Sequence, residues 1–138
     1  MIPKPQGHEK VIAWVVLAVL MSALLTAVSC HGSVVDKPFV NWVVTVESNW
    51  NPLARGKNGE VGLMQVKQIA LDDVDKHFGW RYSLIDLLKP EIALKVGEAY
   101  LRLQEWRLVK RYKRQPSKSE VYAAFRFGLR GSLRKTKT

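Results

Sequence analysis

Apolar residues recur every three or four positions along much of the chain, which is the spacing of an amphipathic helix. The first such helix is predicted over residues 37–48, because Asp36 suits an N-cap and Pro38 suits the first turn. Residues 51–60 then combine proline, glycine and asparagine with polar side chains, which indicates a loop. A small irregular hairpin is expected within this loop, around residues 55–61.

Three further segments carry the helical pattern. A second helix is predicted over residues 63–78, and a third from Pro90 into the basic stretch near Lys113. A short final helix is predicted over residues 121–127, where Gly128 stops it. Because no segment alternates between apolar and polar residues, the predicted fold class is all-α, a small single helical domain.

The N-terminus carries a different apolar pattern. Residues 11–29 form an uncharged run of 19 residues that follows Lys4 and Lys10. Such a run is just long enough to span a membrane as a helix, with the N-terminus inside and the rest of the chain outside the cytoplasm. Small residues at its end fit a cleaved signal peptide equally well, and Cys30 allows a lipoprotein junction. Residues 1–29 are therefore interpreted as a signal-anchor or a signal peptide.

Composition narrows the classes of protein that remain. The chain has 138 residues, 47% of them apolar, which suits one folded domain over residues 30–129 better than a disordered polyelectrolyte. One cysteine excludes both a disulfide scaffold and a paired-cysteine zinc site.

The net charge of +10 favours a polyanionic partner such as cell-wall polymer, anionic lipid or nucleic acid. The positive charge is concentrated after Arg102, where Glu105 and Glu120 are the acidic residues, and it continues into a basic tail over residues 130–138.

Glu47 is the candidate for chemistry. It is the one acidic residue in a segment of valines and aromatic residues, which implies at least partial burial. Apolar surroundings disfavour the charged form of a carboxyl group, so that it stays protonated as a general acid. The alternative is an exposed glutamate on the polar side of the helix. His8, His31 and His77 are interpreted as structural or solvated residues.

Three ordered motifs carry a resemblance to a known family. The sequence resembles the lytic transglycosylases of the lysozyme-like superfamily, which have a Glu-Ser pair before an aromatic residue and Asn-Pro, a Gly-Leu-Met-Gln segment, and a helix with Gly and Tyr-Leu. The matching segments are Glu47-Ser48-Asn49-Trp50-Asn51-Pro52, Gly62-Leu63-Met64-Gln65, and Pro90-Glu91-Ile92-Ala93-Leu94-Lys95-Val96-Gly97-Glu98-Ala99-Tyr100-Leu101.

The resemblance implies a small, mainly helical fold with a groove for glycan. It also implies cleavage of the bond between N-acetylmuramic acid and N-acetylglucosamine in peptidoglycan, with no metal or organic cofactor. Glu47 matches the family's single catalytic acid, which protonates the glycosidic oxygen and then deprotonates the muramic 6-hydroxyl to close an anhydro ring. A lysozyme-type hydrolase would instead need a second carboxylate about 5–9 Å away. The candidates for that role are Asp72, Asp73, Asp75 and Asp86.

Further site residues follow from the same resemblance. Ser48 would support Glu47 or the substrate by hydrogen bonding, or would cap the helix instead. Gly62 would let the backbone approach the sugar closely, while Met64 and Gln65 would line the groove. Tyr100 matches a family position near the groove, with a core tyrosine as the alternative.

The fourth family motif departs from the pattern. Where the family has Ala-Tyr-Asn, a small residue and Gly, this chain has Ala124-Phe125-Arg126-Phe127-Gly128. Phe125 can supply shape to the substrate site but no hydrogen bond, and Arg126 introduces a charge. Activity could therefore be reduced, redirected or lost.

Other classes of function stay open. The altered motif favours a membrane-tethered peptidoglycan-binding or structural module without turnover. The patch over residues 107–114 suits a binder of nucleic acid or anionic membrane, although an exported location fits nucleic acid poorly. A virus-entry, DNA-transfer or secretion apparatus that spans the envelope would provide a setting for local wall opening.

Overall fold

A computed structural model describes residues 32–135, which form four α-helices and one 3-10 helix. Within these residues there is no regular strand, so the predicted all-α fold is confirmed. None of the described helices is long and apolar enough to cross a membrane. The predicted signal-anchor or signal peptide lies outside the described residues. The helices are α1 (Lys37–Ser48), α2 (Gln68–Phe78), α3 (Pro90–Tyr112) and α4 (Lys118–Lys135), with the 3-10 helix at Leu84–Leu88.

Helix α1 has the predicted bounds because both of its ends are set by local sequence. The Asp36 carboxylate accepts a hydrogen bond from the backbone N–H of Phe39, and Pro38 lies in the first turn. Asn49 ends the helix in the left-handed conformation, with φ of 49°. The face containing Val43 and Val44 is completely buried. This face fixes the direction in which the last turn presents its side chains.

Helix α2 begins later than predicted. The expected start near residue 63 is wrong, because Gly62 and Gln65 both have positive φ, which a helix does not allow. Val61 instead pairs with Val66 through two backbone hydrogen bonds, and a further bridge joins Arg55 to Val61. The irregular hairpin expected in this region is therefore confirmed, and it replaces the first turns of the predicted helix.

The 3-10 helix was not predicted from the sequence. A capping box forms its start, in which the Asp86 carboxylate accepts from the backbone and hydroxyl of Ser83. Helix α3 follows at Pro90 and packs against α2, α4 and the 3-10 helix. The third predicted helix is thus confirmed, and it is the central element of the fold.

Helix α4 extends beyond its predicted end. Gly128 does break the helical geometry, with φ of 68° and ψ of 165°, but the chain resumes a helix that runs to Lys135. Gly128, which was predicted to end the helix, therefore produces a kink within it.

A buried carboxylate joins three parts of the fold. Glu105 of α3 accepts hydrogen bonds from the Ser33 hydroxyl and the Val34 N–H, at 2.6 and 2.7 Å. It also accepts one from the Gln115 amide in the α3–α4 connection, at 2.6 Å. The segment that precedes α1 is thereby fixed to the side of α3.

Candidate active site

Glu47 lies in the last turn of α1 and faces α4. Its side chain is only 7% exposed, so the predicted burial is confirmed and the exposed alternative is wrong. Its surroundings are more polar than expected. The Tyr122 hydroxyl donates to Glu47 Oε1 at 2.8 Å, and Arg126 Nη1 lies 3.4 Å from the same oxygen. One carboxylate oxygen therefore receives both polar neighbours from α4.

Aromatic and charged neighbours hold Tyr122. The Trp42 ring meets the Tyr122 ring edge-on at 4.9 Å, and Arg126 donates to the Tyr122 hydroxyl at 3.3 Å. Burial raises the pKa of Tyr122; the hydrogen bond from Arg126 opposes that rise and the one to Glu47 adds to it. The hydroxyl thus keeps its proton at neutral pH and can serve as the donor to Glu47.

A cavity of about 930 Å³ opens beside Glu47. Its wall is built from the end of α1, the hairpin loop, α2, α3 and the kinked part of α4. Four of the predicted site residues line it together, although they are far apart in sequence. They are Glu47, Gln65, Tyr100 and Phe125.

The other three predicted site residues, Ser48, Gly62 and Met64, do not line the cavity. Met64 was expected to line the groove, but it is fully buried against Gly97 of α3, where a Cβ atom would collide with its side chain. Gly62 was expected to approach the sugar, but the backbone that it approaches is the carbonyl of Leu87 in the 3-10 helix. Both residues therefore pack the hairpin loop against the core, and neither lines the cavity.

Ser48 connects α1 to the same loop. Its hydroxyl donates to the Leu63 carbonyl at 2.8 Å, with the Val44 carbonyl farther away at 3.3 Å. Gln65 in turn uses its amide nitrogen to donate to the carbonyls of Ala54 and Gly62. The two side chains therefore fix the loop that forms one wall of the cavity.

Tyr100 and Phe125 form an apolar part of the wall. Their rings are tilted at a centroid distance of 5.5 Å, and each residue is 8% exposed. Burial raises the pKa of the Tyr100 hydroxyl. Next to them, the side-chain oxygen of Gln104 is buried without a hydrogen-bond partner. This wall thus combines a shaped apolar surface with an unused acceptor.

Other carboxylates in the cavity are already paired. Asp73 makes two hydrogen bonds to Arg107, which chiefly lower its pKa. Desolvation opposes ionisation of Glu60, but hydrogen bonds from its own amide, Asn58 and Lys67 outweigh that effect and lower its pKa to about 2. Asp72 accepts from Gln68.

The remaining two acidic candidates do not line the cavity. Asp75 accepts a hydrogen bond from the Tyr82 N–H, and Asp86 caps the 3-10 helix. Within residues 32–135, no three histidine, cysteine, aspartate or glutamate side chains come together as metal ligands.

Tyr122 and Arg126 were not identified as partners of Glu47 from the sequence. They are four residues apart and therefore share one face of α4, with Phe125 close to the same face. That spacing is the only sequence signal for them, and it does not reveal which helix they face. Seventy-five positions separate Tyr122 from Glu47.

Comparisons with known proteins agree with this geometry. The family model for the "Transglycosylase SLT domain" matches residues 30–138. The "Endo-type membrane-bound lytic murein transglycosylase A" of Klebsiella pneumoniae subsp. pneumoniae is 38% identical over 74 residues, and that of Citrobacter koseri is 36% identical over the same length. These matches cover 51% of this chain but only 36% of each relative. Since the family model covers most of the sequence, the chain belongs to the transglycosylase SLT domain family.

Proposed function

We propose that this protein is a peptidoglycan lytic transglycosylase and that Glu47 is its catalytic acid and base. It would cleave the β-1,4 bond between N-acetylmuramic acid and N-acetylglucosamine and leave a 1,6-anhydro end. The observation that carries the proposal is the placement of Glu47, a buried carboxyl group on the wall of a large cavity with one oxygen held by Tyr122. Family membership and the relatives named as murein transglycosylases support it.

The hydrogen bonding of Glu47 suggests which oxygen handles the proton. Because Oε1 accepts from Tyr122, the proton of the acid form belongs on Oε2. Oε2 gives this proton to the glycosidic oxygen as the bond to C1 of the muramic acid breaks. The resulting carboxylate then takes the proton of the 6-hydroxyl while O6 bonds to C1. Glu47 ends protonated, and water is not consumed.

The other carboxylates argue against a lysozyme-type hydrolase. A second carboxylate would have to act as nucleophile or activate water. Asp73 is held by Arg107, and Glu60 by Lys67 and Asn58, so using either would require breaking those contacts. A single acid with an internal nucleophile on the substrate needs no such rearrangement.

The cavity wall provides surfaces for the glycan. Tyr100 and Phe125 shape the wall from the core, where each is 8% exposed, and Gln65 presents an amide side chain. Ser48 would contribute indirectly, because its hydrogen bond to the Leu63 carbonyl holds the loop that carries Gln65. We assign Met64 and Gly62 to support of that loop.

The location and domain limits belong to the same proposal. Residues 1–29 would be a signal-anchor or signal peptide, with residues 30–129 as the transglycosylase domain and residues 130–138 as a basic tail. The domain would act on the extracytoplasmic, periplasmic side, associated with the membrane through residues 11–29. The relatives are named as membrane-bound enzymes, which supports this placement. A virion membrane, or recruitment to a virus-entry or DNA-transfer apparatus, is a setting that this activity would fit.

One observation favours a second candidate, a peptidoglycan-binding module without turnover. The fourth-motif residue Arg126 contacts the carboxylate that would have to donate the proton. If that contact persists in the glycan complex, the groove could bind its polymer without cleaving it.

The test is product analysis by mass spectrometry after incubation of the full chain, in detergent, with purified peptidoglycan. The transglycosylase releases anhydromuropeptides, and Glu47→Gln abolishes the release. Glu98→Gln is the matched control, since Glu98 is exposed and pairs with Arg102 outside the cavity. Reducing-end products would identify a hydrolase instead. Glycan binding without products from a folded wild-type protein would identify the binding module.

A further inference from the structure

Arg126 is a half-exposed cation that contacts the buried candidate acid. Its side chain is 45% exposed, against 7% for Glu47. It lies on the cavity wall, near the face of the Phe127 ring, and donates to Tyr122. One side of the guanidinium therefore faces the acid, while much of the group remains open to solvent and to a ligand.

The Arg126–Glu47 pair is the loosest ion pair of the cavity wall. Arg126 approaches Glu47 to 3.4 Å, whereas Lys67 approaches Glu60 to 3.2 Å. The pair of Arg107 with Asp73 has two hydrogen bonds, at 2.5 and 2.8 Å. A guanidinium binds a carboxylate best through two parallel hydrogen bonds, which Arg126 does not make with Glu47. Arg126 can thus gain by moving to a carboxylate that offers both oxygens.

Such a move would also serve the chemistry. A cation in contact with a carboxylate favours the ionised form, whereas proton donation needs the acid form. An incoming anion that takes Arg126 away would leave Glu47 with Tyr122 as its remaining described partner.

We propose that Arg126 is a recognition site for a carboxylate carried by the peptide stem of the glycan strand, and that it leaves Glu47 when this carboxylate binds. The inference rests on the proposed function for the identity of the polymer. Lys57 and Lys76 support it, because they line the same cavity and make no ion pair among the described residues. The lining has five basic side chains against four carboxylates, and Lys57, Lys76 and Arg126 are the basic ones that no carboxylate holds through a short contact.

The first experiment measures binding by calorimetry with the full chain in detergent. The probes are two disaccharide-peptide products that cannot be cleaved again, one with free stem carboxylates and one with those groups amidated. Wild type binds the free-acid probe about five- to tenfold more tightly, as expected for one charge-assisted pair. Arg126→Gln removes this preference. Arg111→Gln, an exposed change outside the cavity on α3, retains it.

The second experiment tests the exchange itself. Binding to wild type must first break the pair with Glu47, so Glu47→Gln should bind the free-acid probe at least threefold more tightly than wild type. The double variant with Arg126→Gln should lose that gain. Equal or weaker binding by Glu47→Gln would overturn the exchange, and an Arg126→Gln variant that keeps the preference would overturn the recognition site.

These results are independent of the lytic activity, because no bond is cleaved in the assay. A carboxylate preference that depends on Arg126, without release of anhydromuropeptides, would support the recognition site and reject the enzyme. Release of anhydromuropeptides without any carboxylate preference would support the enzyme and reject the recognition site. Circular dichroism melting of each variant ensures that the comparison is between folded proteins.

Discussion

Tyr122 donates its hydroxyl proton to Glu47 across 2.8 Å and so joins helix α4 to the end of helix α1. The family pattern places its tyrosine three residues later, where this chain has Phe125. A hydroxyl thus reaches the candidate acid from the preceding turn of the helix. The departure from the fourth motif leaves the acid with a hydrogen-bond donor.

Removal of this hydroxyl tests its importance. We expect Tyr122→Phe to lower kcat for glycan cleavage about ten- to a hundredfold, the loss typical of one hydrogen bond to a charged group. KM should change little, because the ring and its contact with Trp42 remain. Rates of anhydromuropeptide release at several glycan concentrations measure both constants. A wild-type kcat in this variant would show that Tyr122 does not orient Glu47.

Met64 distinguishes a core role from a groove role. We expect Met64→Ala to lower the free energy of unfolding by about 2–5 kcal/mol, because it leaves a cavity in the core. Denaturant titration followed by circular dichroism measures this loss. The control is Ile69→Ala, at an exposed position on the cavity wall, which should cost little stability. A stable Met64→Ala variant with weakened glycan binding would restore the groove role.

Glu105 should be essential for stability. Glu105→Ala leaves the donors of Ser33, Val34 and Gln115 without their acceptor, so we expect a loss of about 2–4 kcal/mol in the free energy of unfolding. Glu98→Ala, which removes an exposed ion pair on the same helix, should cost less than about 1 kcal/mol. Equal losses for the two variants, measured by urea denaturation, would contradict this role.

Glu60 should contribute to acid sensitivity. Its pKa in the folded protein is about 2 against an ordinary value of 4.5, so its contribution to stability is complete above pH 4.5. The contribution is lost as the pH falls from about 4.5 towards 2. We expect Glu60→Gln to reduce the slope of unfolding free energy against pH in this window. An unchanged slope, measured by denaturation at a series of pH values, would contradict the assignment.

The sequence predicts best what is determined locally. Asp36 and Asn49 mark the ends of α1 through interactions within a few residues, and those bounds are correct. The start of α2 was misplaced because the pairing of Val61 with Val66 competes with helix formation. Apolar spacing alone does not reveal that competition.

The sequence predicted the candidate acid but not the residues that contact it, because those contacts are not local. Motif order identified Glu47, and the apolar context of its segment predicted its burial. The partners Tyr122 and Arg126 come from a distant helix, and only the packing of α4 across α1 brings them to the acid. Met64 and Gln65 were both assigned to the groove from the Gly-Leu-Met-Gln resemblance; Gln65 does line the cavity, whereas the Met64 side chain packs against Gly97.

The contact between Met64 and Gly97 makes the stability of this domain and the shape of its cavity interdependent. The Met64 thioether packs directly against Gly97 of α3, where a residue with a side chain would collide with it. The next residue, Gln65, lines the cavity. A substitution that weakens the contact between Met64 and Gly97 is therefore expected to move the cavity wall as well as the core. Under the proposed function, a change in this loop that alters glycan preference would therefore also affect folding.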